Sequence, residues 1–153
     1  MQTTLPTQQN TKTLTVIKTT RIDSAGSNGV VWIFGALAFT FDLGEEIAGG
    51  AMDVSGDEQR SARTLARARG RKYALRVSGI LFAFFVGLSF LPFAMGWLGS
   101  VYLALVTATD FAASYFAYKL LRSRTAEEGR VRIRQLYLTM TFFVIAFIAS
   151  GFF

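Results

Sequence analysis

One short stretch of the chain contains five acidic residues, and their spacing suits the binding of a cation. They are Asp42, Glu45, Glu46, Asp53 and Asp57. On a continuous helix, which turns by about 100° per residue, all five fall within about 120° of arc and form one acidic face. Carboxylates stacked one turn apart repel one another, so water, a cation or cationic side chains must lie against them. We therefore predict a divalent metal ion at this face.

The residue types that are absent narrow the choice of metal. The chain contains neither cysteine nor histidine. A thiolate site is therefore excluded, and a zinc site would have to consist of carboxylates alone, which is unusual. Mg²⁺ or a similarly hard cation is expected, because such ions prefer oxygen ligands.

The composition is that of a helical membrane protein. Of the 153 residues, 52% are hydrophobic, and the mean hydropathy of +0.38 is too high for an ordinary soluble domain. Thirteen of the sixteen Lys and Arg residues lie in two blocks, residues 60–76 and 119–134. Basic blocks beside apolar stretches are typical of cytoplasmic loops and of contact with anionic headgroups. No basic groove with interleaved aromatic residues indicates a nucleic-acid partner.

The apolar stretches predict an all-α, polytopic membrane protein with about four transmembrane helices. We place the spans at about residues 29–52, 73–94, 98–120 and 136–153, after a polar and disordered leader at residues 1–28. Thirty-three uncharged residues from Val77 to Thr109 are too many for one crossing, and Pro92 lies in their middle. Both basic blocks then lie on one side of the bilayer. By the positive-inside rule the acidic motif faces the cytoplasm, and the cell (inner) membrane is the expected location.

The sequence around the acids is similar to a known motif. The stretch EEIAGGAMDVSGDEQRSARTLARARGRKYA resembles the second aspartate-rich motif of the UbiA superfamily of intramembrane prenyltransferases. The positions in register are Glu46, Ile47, Asp53, Val54, Gly56, Asp57, Thr64, Leu65, Gly70 and Ala74. The chain departs from the motif at Gly50, where an aspartate is frequent, at Ser61, where glycine is common, and at Ala66, where proline is common.

This resemblance implies a reaction and a site. Members of the superfamily transfer a polyprenyl group from its diphosphate to an acceptor, so polyprenyl diphosphate is the expected ligand and Mg²⁺ the expected cofactor. The implied metal ligands are Asp53, Asp57 and Glu46, and the implied diphosphate ligands are Arg60, Arg63, Arg71 and Lys72. The acceptor is left open, and Asp110 is as well suited to a structural hydrogen bond as to a substrate contact.

The resemblance covers only part of such an enzyme. A full member has about twice this length, roughly nine spans and another aspartate-rich motif, to which nothing in residues 1–52 is similar. We therefore expect the C-terminal half of a UbiA-type bundle, inactive alone and completed by a second chain that supplies the N-terminal half. The alternative is a non-catalytic four-helix membrane protein or remnant with a structural role. A small cation-transporter subunit is a third interpretation.

Overall fold

Helices account for all the regular structure in the part of the chain that can be described. The structure is a computed structural model and describes residues 8 to 53 and 64 to 150. In chain order the helices are α1 (Gln8–Met52), α2 (Leu65–Arg69), α3 (Arg71–Ser89), α4 (Leu91–Ala94), α5 (Ser100–Leu121) and α6 (Ala126–Ala149). The predicted all-α class is confirmed.

Two helical stretches are long and apolar enough to cross a bilayer. They are Arg71–Ala94 and Ala126–Ala149, within the described residues. The first coincides with the span expected at 73–94, and the second begins ten residues before the span expected at 136–153. Helices α1 and α5 contain the other two expected spans, at 29–52 and 98–120. That α1 and α5 also cross the membrane stays a prediction.

Helix α1 changes two of the expectations drawn from the sequence. It begins at Gln8 and so includes most of the stretch assigned to a polar leader, of which residues 1–7 lie outside the described part. Where a leader would end and the membrane domain begin therefore stays a prediction. The helix ends at Met52, so Asp53 lies beyond its last residue and the acidic face is not one continuous helical face.

The connection between α3 and α5 is the short turn that Pro92 indicates. Proline is tolerated in the first turn of a helix because its missing N–H has no partner there, and Pro92 is the second residue of the four-residue helix α4. Its carbonyl accepts hydrogen bonds from the backbone N–H groups of Trp97 at 3.0 Å and Leu98 at 3.2 Å. Gly96, at φ 70°, supplies the left-handed residue that the turn needs. Helices α3 and α5 are therefore antiparallel.

A capped loop joins α5 to α6. The side chain of Thr125 accepts a hydrogen bond from the backbone N–H of Glu128, and the Glu128 carboxylate accepts one from the N–H of Arg124 at 2.9 Å. This reciprocal arrangement resembles a capping box, and Thr125 is the N-cap of α6. The loop is short, so α6 returns along α5.

The four long helices close on one another around an apolar core. Helix α1 contacts α3 and α6, and α5 contacts the same two helices. Leu37, Phe41, Ala48, Phe82, Phe85, Ala113, Ala117, Leu120 and Leu136 lie in this core. Where α1 crosses α3, the buried Ser78 hydroxyl donates a hydrogen bond to the carbonyl of Gly44 at 2.7 Å.

The outer surface of the bundle is strongly apolar. Trp32, Phe111 and Phe142 are 79%, 82% and 70% exposed, and many other large apolar side chains also point outward. Water-soluble monomers rarely expose so many large apolar groups in one region. Together with the two apolar helices, this surface fits an all-α membrane protein.

Candidate functional site

The predicted acidic residues lie on the outward side of the last turns of α1. Asp42 and Glu46 are exposed and Glu45 is partly buried, whereas Ala48 and Ala51 on the other side of the helix are buried in the core. This division follows the 3.6-residue period: the small residues face the core, and the carboxylates lie on more exposed sides of the helix, where Asp42 also borders a cavity. The acidic residues of α1 therefore lie near the end of the bundle that also carries the two basic blocks.

Asp53, the first residue after α1, forms an ion pair that the sequence did not predict. Its Oδ1 lies 2.6 Å from Nη2 of Arg130, in the first turns of α6, and the two side chains are 61% and 58% exposed. Helix α6 comes this close because Gly129 lies directly against Met52, where a Cβ atom would overlap the thioether. Arg130 belongs to a basic block that the sequence analysis assigned to membrane topology and to contact with anionic headgroups, and its position in the sequence does not connect it to Asp53.

Of the predicted metal ligands, Asp53 and Glu46 lie within the described residues. Asp53 is exposed, and a surface ion pair contributes only about 0–1 kcal/mol, so a divalent ion could replace Arg130 at little cost. Glu46 lies seven residues earlier, which is about 10 Å along a helix at 1.5 Å per residue. Because helical side chains lean toward the N-terminus, Glu46 is better placed to contact a metal-bound water than the ion that Asp53 would hold.

No metal-binding cluster is complete within the described ranges. Residues 8–53 and 64–150 contain no group of three or more Asp or Glu side chains that could hold an ion together. The predicted ligand Asp57 and the predicted diphosphate ligands Arg60 and Arg63 fall outside these ranges. Their roles stay predictions, and so does the role of Mg²⁺.

Arg71, a predicted diphosphate ligand, instead holds the loop between α5 and α6. Its guanidinium donates hydrogen bonds to the carbonyls of Arg124 and Thr125, both at 2.9 Å, and to the Ser123 hydroxyl at 3.0 Å. Arg71 is the first residue of α3, just after Gly70, whose φ of 89° separates α2 from α3. The planar guanidinium suits several carbonyls at once. The structure therefore gives Arg71 a structural role, and phosphate binding by it stays a prediction.

Lys72 points into a different environment from Asp53. Its side chain is exposed and lines an open pocket together with Arg76, Arg122 and Arg124. Neither Asp53 nor its partner lines this pocket. Arg71, which also lines this pocket, lies 3.4 Å from the sulfur of Met52, the residue before Asp53, so the basic pocket is adjacent to the Asp53 ion pair.

Asp110 has the structural hydrogen bond that the sequence left open, and it also lines a cavity. It is buried in α5, and the Ser89 hydroxyl of α3 donates a hydrogen bond to its Oδ2 at 2.5 Å. Tyr102 reinforces this contact by donating from its hydroxyl to the Ser89 carbonyl at 2.6 Å. Asp110 and Asp42 are the two acidic side chains on a largely apolar cavity of about 230 Å³ between the helices. The remaining Asp110 oxygen has no hydrogen-bond partner among the described residues.

Comparison with known proteins gives one informative similarity. The chain is 28% identical over 123 residues to the digeranylgeranylglyceryl phosphate synthase of Archaeoglobus fulgidus, and the match covers 78% of this chain and 42% of the relative. The chain thus spans less than half of that relative's length. No family model and no solved structure matches the chain.

Proposed function

We propose that this chain supplies one half of the diphosphate-binding and metal-binding site of a membrane prenyltransferase of the UbiA superfamily. The observation that carries the proposal is the uninterrupted register of ten motif residues around Asp53. The distant similarity to a synthase of a geranylgeranylated glyceryl phosphate supports a prenyltransferase-type function at the level of a broad family. The exposure of Asp53 at the end of an apolar bundle is compatible with this function.

Prenyl transfer makes demands that these residue types can meet. The bond between the prenyl carbon and the diphosphate oxygen breaks, its electrons leave with the diphosphate, and an acceptor nucleophile bonds to the carbon and loses a proton. Mg²⁺, when bound, would neutralise the negative charge on the departing diphosphate. Asp53 and Asp57 would hold the ion, and Glu46 would orient a water bound to it. Arg130, released from Asp53, would lie close enough to contact a phosphate oxygen.

The proposed site is incomplete without further carboxylates. The 153 residues resemble only the second aspartate-rich motif of the superfamily, and they contain nothing similar to the other such motif of a full member. We infer that the chain alone does not catalyse transfer and that another polypeptide segment, supplied by a second chain, completes the site on the cytoplasmic side of the cell membrane. The 42% coverage of the Archaeoglobus fulgidus relative is in keeping with this inference.

The test is Mg²⁺-dependent binding of a prenyl diphosphate to the purified chain in detergent. We expect radiolabelled geranylgeranyl diphosphate to bind with Mg²⁺ and to be lost with a chelator. Asp53→Asn should weaken binding at least roughly tenfold, because even residues that only orient a metal ligand are worth about 10–100-fold in metal affinity. Asp42→Asn, an equally conservative change on an exposed acid of α1, is the matched control and should bind as the wild type does.

Two outcomes would contradict the proposal. Equal binding by Asp53→Asn and Asp42→Asn would show that the motif does not hold the metal. Release of diphosphate by the purified chain alone, with Mg²⁺ and an acceptor lipid extract, would show that no further segment is needed.

The non-catalytic alternative has specific support in the contacts. Asp53 is paired with Arg130, Arg71 is engaged with backbone carbonyls, and the four long helices close on one another. This alternative predicts that neither the wild type nor Asp53→Asn binds prenyl diphosphate at any Mg²⁺ concentration. The same titration therefore separates the two functions.

A further inference from the structure

A second surface of the bundle has the properties of a ligand site that is separate from the acidic motif. Five basic side chains line an open pocket of about 610 Å³ where α3 begins and α5 ends. They are Arg71, Lys72, Arg76, Arg122 and Arg124. Among the described residues, residues 8–53 and 64–150, no acidic side chain lines this pocket, and its volume lies within the roughly 300–1,000 Å³ that is usual for ligand sites.

Three of these cations are available to a ligand. Lys72 and Arg76 are exposed and form no hydrogen bond or ion pair with any described residue, and Arg122 lies 4.7 Å above the ring of Tyr118. The nearby carboxylate of Glu128 accepts from the backbone of Arg124 in the loop and is not among the lining groups. Cations gathered in this way repel one another, so an anion that contacts several of them at once would be bound favourably.

An apolar groove continues from the basic pocket along the bundle. Leu121 lines both the pocket and a groove of about 310 Å³ between α3 and α5. The walls of the groove include small residues, among them Ala83, Ala113 and Ser114. At Gly79 the space is filled by Leu121, whose methyl groups lie 3.0 Å from where a Cβ atom would be. Since the two helices are antiparallel, the groove leads away from the basic end toward the apolar middle of the bundle.

We propose that this pocket and groove bind an anionic phospholipid. The phosphate headgroup would lie among Lys72, Arg76 and Arg122, and one acyl chain would follow the groove between α3 and α5. Charge complementarity selects the headgroup, because the described lining residues include five basic residues and no acidic one. The continuous apolar groove selects an amphiphile over a free phosphate ion. The pocket shares Arg71 and Lys72 with the predicted diphosphate ligands, whereas Asp53 and Arg130 do not line it. The test therefore changes Arg76 and Arg122, which the proposed transferase function does not use.

The experiment is a titration of the purified full chain with lipid, followed by native mass spectrometry in a neutral detergent. Dioleoyl phosphatidylglycerol is compared with dioleoyl phosphatidylcholine, so that only the headgroup charge differs. We expect the wild type to retain phosphatidylglycerol preferentially. Arg76→Gln and Arg122→Gln should each weaken it roughly fivefold, which corresponds to about 1 kcal/mol per basic residue near anionic lipid. The matched control is Arg134→Gln, an exposed arginine outside the pocket, which should change binding less than twofold.

A second variant tests the groove. Ala83 is exposed, so Ala83→Trp fills the groove without entering the core and should weaken phosphatidylglycerol while leaving the thermal midpoint of the protein unchanged. Equal retention of the two lipids would overturn the proposal, as would equal losses in Arg76→Gln and Arg134→Gln. Displacement of the lipid by glycerol phosphate at equal concentration would also overturn it, because the groove would then contribute nothing.

Discussion

Replacing Arg71 should loosen the end of the bundle that carries the basic blocks. In Arg71→Gln the loop between α5 and α6 loses the guanidinium that holds the carbonyls of Arg124 and Thr125 and the hydroxyl of Ser123. In Arg71→Lys the positive charge remains, but a single ammonium group cannot reproduce the planar fork that reaches these three acceptors. Both variants should therefore destabilise the fold, although only one of them changes the charge.

The magnitude follows from the three short bonds. Hydrogen bonds to charged groups contribute about 1.5–3 kcal/mol each when sheltered, but two of these three are exposed and water replaces the lost donor. We therefore take about 0.5–1 kcal/mol for each bond, or roughly 2 kcal/mol for Arg71→Gln. In a chain of this size 1 kcal/mol shifts Tm by about 2–4 °C, so a decrease of roughly 4–8 °C is expected.

The assay is thermal unfolding in a neutral detergent without added lipid, followed by circular dichroism. Arg76→Gln is the control, because Arg76 lies on the same helix, carries the same charge and makes no hydrogen bond to a described residue. Its free energy of unfolding should change by less than about 0.5 kcal/mol. Equal midpoints for Arg71→Gln and Arg76→Gln would refute the structural role of Arg71. If Arg71 served only to bind diphosphate and did not stabilise the fold, Arg71→Lys would unfold at the same temperature as the wild type.

Two further changes test the packing of the bundle by the same measurement. Gly44→Ala places a methyl group 3.2 Å from a phenylalanine ring of α3, whereas Gly35→Ala meets nothing within 4 Å. Both changes gain the same helix propensity, so overpacking should leave Gly44→Ala less stable than Gly35→Ala by about 1–3 kcal/mol. Equal effects at Gly44 and Gly35 would show that α1 and α3 do not approach as described. Tyr102→Phe removes the buried hydrogen bond to the Ser89 carbonyl and should cost about 1 kcal/mol, whereas Tyr137→Phe, at an exposed position, should cost almost nothing. If the Tyr102 variant were as stable as the Tyr137 variant, the hydrogen bond from Tyr102 to Ser89 would not contribute to the stability of the fold.

The helices could be predicted because the sequence features that indicate them lie within the helices themselves or next to them in the chain. Uncharged runs long enough to cross a bilayer predict helices by length alone, and Pro92 divides the longest run where the structure has its turn. Helix α1 ends at Met52, where the first expected span also ends. It also runs through the polar stretch after Gln8, which has no apolar periodicity to indicate a helix, and where a leader would end stays a prediction.

The partners of the site residues could not be predicted, because they are far apart in the chain. Asp53 and Arg130 are separated by 77 positions, and the contact between Gly129 and Met52 that brings them together leaves no local pattern. Arg71 likewise donates hydrogen bonds to groups that lie 52 to 54 positions away in the chain, and no local pattern indicates these contacts. A sequence motif shows which side chains are present, but it does not show which of them form hydrogen bonds or ion pairs with distant residues.

The sequence by itself determined the helical class, the apolar outer surface, the concentration of positive charge at one end and the motif around Asp53. Each of these follows from residue types and from spacing within a few turns, where helical geometry is known in advance. Only the tertiary structure decided that Asp53 pairs with Arg130, that Arg71 holds a loop, and that Lys72 faces a separate basic pocket. These outcomes depend on how four helices cross, and small residues such as Gly44 and Gly129 set those crossings through contacts between distant parts of the chain.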